Sequence, residues 1–123
     1  MTEEELKFRH KQFALRIMKM SDAIPQSVSG MAIARQVVRS GTSPSANYRA
    51  ACIGKSKKDF LNKLKMVEEE LDETLHWLEL IMEGGLLPQS RIQPLYDECT
   101  ELLKITVSSI VSTRKYLEIH GDK

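Results

Sequence analysis

Apolar positions recur along this chain at alternating intervals of three and four, the period of one helix face. Leu6, His10, Phe13, Ile17, Met20 and Ile24 form the first such stripe. It predicts a helix from Glu3 to Ile24, with Thr2 as N-cap and Glu3, Glu4 and Glu5 facing the positive end of the helix dipole. Pro25 stops it.

A second helix is expected from Ser27, carrying Met31, Ala34, Val37, Val38 and Gly41 inward and Arg35, Gln36 and Arg39 outward. Ser40-Gly41-Thr42-Ser43-Pro44 interrupts the pattern. Proline within a helix removes one backbone bond and clashes with the preceding turn, at about 3 kcal/mol. A kink near Gly41–Pro44 is therefore expected, with a Thr42 or Ser43 hydroxyl capping a restart and Pro44 in its first turn. Beyond it Ala46, Ala50 and Ile53 are expected to face inward, with Gly54 as C-cap.

The third helix opens at Ser56-Lys57-Lys58-Asp59, a serine followed three residues later by an acid, and ends near Glu83 at Gly84-Gly85. Its stripe, Phe60, Leu64, Val67, Leu71, Thr74, Leu78 and Ile81, holds heptad-like spacing throughout. At 1.5 Å per residue this helix is roughly 40 Å long. The fourth runs from an N-cap at Ser90 to about Ile119, with Ile92, Leu95, Cys99, Leu102, Thr106, Ser109, Thr113 and Tyr116 on one stripe. Leu103, Val107, Ile110, Val111 and Leu117 widen its apolar arc beyond one face, the mark of a second partner. No strand pattern appears. The pattern predicts an all-α chain whose helices pack side by side as a four-helix bundle, one domain over residues 1–123.

Composition agrees with this and narrows the chemistry. A chain of 123 residues, 41% hydrophobic and 28% charged, is long enough to bury a core without staples. The charged opening MTEEELKFRH does not resemble a signal peptide, and no apolar run approaches the ~18 residues of a membrane span. A cytoplasmic protein with no membrane partner is expected. Cys52 and Cys99 lack the paired spacing of a zinc site; two buried free thiols are expected, with a single disulfide as the alternative.

Net charge is +1, yet its distribution is uneven. Residues 30–65 carry eight cations against Asp59, and residues 66–101 carry ten acids against Arg91. Such segments belong beside each other, within a subunit or between subunits. If the second and third helices are antiparallel about Gly54–Lys55, Arg39 meets Glu70 or Glu73, and Arg49 lies near the start of the third helix. Arg39, Arg49, Glu69, Glu70 and Glu73 are accordingly the candidate inter-helix or inter-subunit ion pairs. Lys55, Lys57, Lys58 and Lys63 cluster about the same turn, a candidate phosphate-binding rim. Aromatic residues for stacking bases are sparse there, with only Tyr48 and Phe60 close.

No catalytic constellation emerges. His10, His76 and His120 are scattered, and Ser40, Thr42, Ser43 and Ser45 cluster without a base. Glu73 and His76 have the Glu-x-x-His spacing of di-metal bundles, but no second such motif exists, so neither a metal nor another cofactor is expected.

The run RSGTSPSANYRAACIGKSKKDFLNKLKMVEEELDETLHWLELI resembles the signature of the bacterial four-helix bundle proteins. These are also called intervening-sequence proteins, because some are encoded inside large-subunit ribosomal RNA genes. The matching pieces are RSGTS, SANYRAA, SKKDF and EEELDETLHWLEL, and the resemblance extends over essentially the whole chain, most sharply residues 36–83. It implies an up-down-up-down bundle that assembles as a homopentameric ring, with no enzymatic activity. A distant relative is the accessory protein of diversity-generating retroelements, a basic pentamer that binds nucleic acid and a reverse transcriptase. This chain is near neutral where that relative is basic. Two function classes follow: a structural or protein-interaction module meeting an unknown protein, or a nucleic-acid-binding accessory protein.

Overall fold

The computed structural model of the chain describes residues 1–121, in four helices: α1 Glu3–Asp22, α2 Val28–Cys52, α3 Lys57–Glu83 and α4 Gln89–His120. Each of the first three starts on a hydroxyl cap. Thr2 and Glu5 cap α1 reciprocally, at 3.1 and 3.2 Å. Ser27 accepts from the Gly30 amide at the head of α2, and Ser56 from the Asp59 amide at the head of α3. The N-cap of α4 is Pro88, two residues before the expected Ser90; its fixed φ suits a helix entry but it offers no side-chain cap. Gly84 closes α3, and Gly85 then takes a left-handed φ of 70° to turn the chain.

The expected restart in α2 does not occur. The helix is continuous through Pro44, which is buried in its interior rather than placed in a new first turn. Thr42 caps nothing; its hydroxyl donates back to the Val38 carbonyl at 2.7 Å. Ser43 is equally uninvolved in capping and accepts from the Asn47 side-chain amide at 3.0 Å. Packing on two sides holds the helix together where propensity would break it. Ser40 is buried against α3 and its hydroxyl accepts from Thr74 at 2.9 Å. Gly41 is present for proximity: a Cβ there would lie 2.8 Å from the Ile17 side chain of α1.

Sequence spacing misjudged the inward residues beyond the proline. Ala46 and Ile53 are exposed, and the buried positions are Pro44, Tyr48 and Ala51. Carrying the stripe straight across the interruption produced that error. Ile53 rather than Gly54 is the C-cap residue. Met31 is likewise exposed rather than inward.

The remaining stripes form the core. Every member of the α1 stripe is buried, and on α3 so is every member except the half-buried Phe60. On α4, Ile110 takes the inward place expected of Ser109, and Tyr116 is exposed. α1 packs on α2, α2 on α3 and α3 on α4, each against its chain neighbour, as an up-down-up-down bundle. α4 touches α1 only thinly, and no diagonal pair of helices is in contact among the described residues. Both cysteines are free. The Cys99 thiol donates to the Leu71 carbonyl across the α3–α4 seam at 3.3 Å.

Candidate functional site

Two kinds of surface feature could carry function: charged contacts along the helix seams, and the side chains the bundle leaves facing outward. On the α2–α3 seam, Arg39 reaches across to Glu70, Nη1 to Oε2 at 3.1 Å, and its Nη2 donates to Glu73. Gln36 accepts from the same guanidinium at 3.2 Å, and the Trp77 indole donates to Glu73 at 2.9 Å. The arginine side chain is 48% exposed, so the cluster is a surface network rather than a buried clasp.

Arg49 is exposed and makes no ion pair among the described residues. It lines a groove against α1 with Glu4, Lys7, Phe8, Lys11 and Ser45. Ten residues beyond Arg39, at about 100° per residue, the helix stands about 80° short of three full turns, which sets Arg49 roughly a quarter turn round from Arg39. Glu69 is exposed on the outside of α3 and makes no ion pair among the described residues. Lys55, Lys57 and Lys58 are exposed about the α2–α3 turn, while Lys63 is half-buried along α3. Lys57 stands over the rings of Phe60 at 5.7 Å and of Tyr116 at 5.1 Å. Tyr116 arrives from the far end of the chain, so local spacing could not reveal this aromatic neighbour.

The strongest ion pair was not predicted. Arg9 of α1 donates from Nε and Nη2 to the two carboxylate oxygens of Glu98 on α4, both at 2.7 Å. The side chains are 30% and 18% exposed. This fork-on-fork contact spans the thin α1–α4 seam and holds the Arg9 guanidinium further toward its charged form. Its one sequence trace is position: each residue is adjacent to a core-stripe member, His10 or Cys99.

His10 is the least satisfied group in the core. It is 1% exposed, stacks on Tyr48 with ring centroids 5.1 Å apart, and neither ring nitrogen has a hydrogen-bond partner. Burial pushes its pKa down to about 4, so it is neutral at pH 7. Burial also pushes the Cys99 thiol up to about 12, far from a reactive thiolate. No group of three or more metal-ligating side chains exists among the described residues.

Outward-facing apolar side chains are the more conspicuous feature. Phe8 is 64% exposed on α1, and Leu15 and Met18 are each 48% exposed along the same helix. Met66 and Leu80 are exposed on α3, and Val107 and Val111 on α4. The model of the 23S rRNA-intervening sequence proteins matches residues 5–108, most of the bundle. The chain belongs to the 23S rRNA-intervening sequence protein family. A crystal structure of a protein of unknown function from the S23 ribosomal protein family of Bacteroides thetaiotaomicron VPI-5482 superimposes with a TM-score of 0.80. It is 31% identical, and the match covers 85% of this chain and 97% of that one. No curated protein matches the chain. The intervening-sequence fold here has no helix long and apolar enough to cross a membrane among the described residues.

Proposed function

We propose that this chain is a non-enzymatic, cytoplasmic, structural or protein-interaction module that works as an assembly of its own copies, a pentameric ring. The observation that carries the reading is the set of large apolar side chains turned to solvent on α1, α3 and α4, Phe8 foremost. None of the four helices covers them, and such faces mark association surfaces. Light scattering at micromolar concentration tests it: the expected mass is five times the 14.0 kDa of one chain. A particle of one chain's mass overturns it.

A second reading, a nucleic-acid-binding accessory role, is favoured by one observation. Lys55, Lys57 and Lys58 are exposed at one end of the bundle, and Lys57 sits over two aromatic rings there. Repeated around a ring, that end becomes a basic rim suited to phosphate. Retention on heparin that falls steeply with salt supports this role, and flow-through at low salt removes it.

A further inference from the structure

The outer faces of α1 and α3 carry opposite charge. Between Lys7 and Lys19, α1 carries five cations and no carboxylate. Between Met66 and Glu83, α3 carries seven carboxylates and no lysine or arginine. α1 and α3 occupy opposite corners and are not in contact, so their outer faces point away from each other. Neither charge is fully spent inside the bundle. Lys11, Arg16 and Lys19 are exposed without an ion pair among the described residues, and so are Glu69, Asp72 and Glu83.

Both of these charged faces also carry exposed apolar residues, as do α2 and α4. Phe8, Leu15 and Met18 rise among the free cations of α1, and Met66 and Leu80 among the free acids of α3. We infer that the outer face of α1 in one copy docks on the outer face of α3 in the next, head to tail. The inference rests on the self-association proposed above and supplies its geometry. A two-fold contact of α1 with α1 opposes cation to cation, and one of α3 with α3 opposes acid to acid. Of these three pairings, only the mixed contact joins opposite charges around an apolar strip. Because each copy offers one face of each kind, the contact propagates, giving a ring where the rotation closes and a filament where it does not.

Charge reversal tests the contact. Lys11→Glu/Arg16→Glu/Lys19→Glu on α1 and Glu69→Lys/Asp72→Lys/Glu83→Lys on α3 each change exposed side chains only. Each triple variant is expected to fall to the mass of one chain by light scattering. The chain carrying all six substitutions is expected to regain the parent's mass, since the two faces are again complementary. Phe8→Ser is expected to weaken association on the order of 30-fold, the loss of one central aromatic anchor. A salt titration of the unmodified protein reads the same complementarity, and its association is expected to loosen as salt rises. A parent of one chain's mass overturns both this inference and the self-association reading. A parent that assembles, with triple variants that keep its mass, a sixfold variant that stays dissociated, or association indifferent to salt, overturns the docking geometry alone.

Discussion

The α2–α3 seam and the α1–α4 seam are each crossed by an arginine gripping carboxylate, and they differ in every respect that decides how much such a contact matters. Arg39 lies 31 residues from Glu70 and 34 from Glu73, across a tight turn that sets the two helices side by side. Arg9 lies 89 residues from Glu98, and no turn joins their helices. The first contact decorates a broad, well-packed seam and is half exposed; the second spans a thin seam with both partners mostly covered. Where packing already fixes register an ion pair adds little. Where packing is thin, a bidentate pair supplies the register.

The largest way to strain the α1–α4 side is acid. His10 is next to Arg9 in sequence, and its pKa is pushed from 6.5 to about 4, chiefly by burial. Arg9 lowers it further and Glu98 opposes. The unfolded chain therefore takes up a proton at His10 near pH 6.5, while the folded chain resists until about pH 4. Stability is highest above pH 6.5 and declines as pH falls toward 4, by roughly 3 kcal/mol from this group. Urea unfolding across that range checks it against His10→Leu, which also removes two unpaired nitrogens and is expected to flatten that part of the profile. Equal pH profiles for the two proteins would show that His10 is not responsible.

Breaking the clasp itself comes next. Glu98→Ala leaves the Arg9 guanidinium partly covered and unpaired, and is expected to cost about 2 kcal/mol. Arg9→Lys should recover only part of the loss from Arg9→Ala, because an ammonium cannot reproduce the two parallel bonds. The matching change on the other seam is expected to be smallest. Arg39→Ala should cost about 1 kcal/mol or less, since water already screens that network. Thermal or urea midpoints for the four variants decide the order. If Arg39→Ala proves the more destabilising, the contrast between the seams fails.

The same contrast explains what could be read from the chain alone. The helices and nearly all of the α1 and α3 core were legible because interval counting samples a single element. The approach of Arg39 to Glu70 and Glu73 was legible because one short turn converts chain distance into spatial register. Arg9 and Glu98 were opaque because the chain connects their helices only by way of the two others, and small errors in each register accumulate. Pro44 misled for a different reason. Helix propensity is local, and burial of Ser40, Gly41 and Pro44 between two neighbouring helices outweighs it. The outward strip on α1 was hidden behind its inward one, since a helix with two apolar faces still shows the expected period.

The depth of Cys99 gives the molecule an internal clock. Its thiol is buried, tied to the Leu71 carbonyl and held far above the range where a thiolate forms at neutral pH. An alkylating or oxidising reagent reaches it only in the moments when α3 and α4 part. Cys52, half-buried at the end of α2, packs only against the edge of the core; burial raises its thiol as well, but it stands nearer solvent than Cys99. Under oxidative attack the two sulfurs are therefore consumed in sequence, and the lag between them measures how often the core breathes.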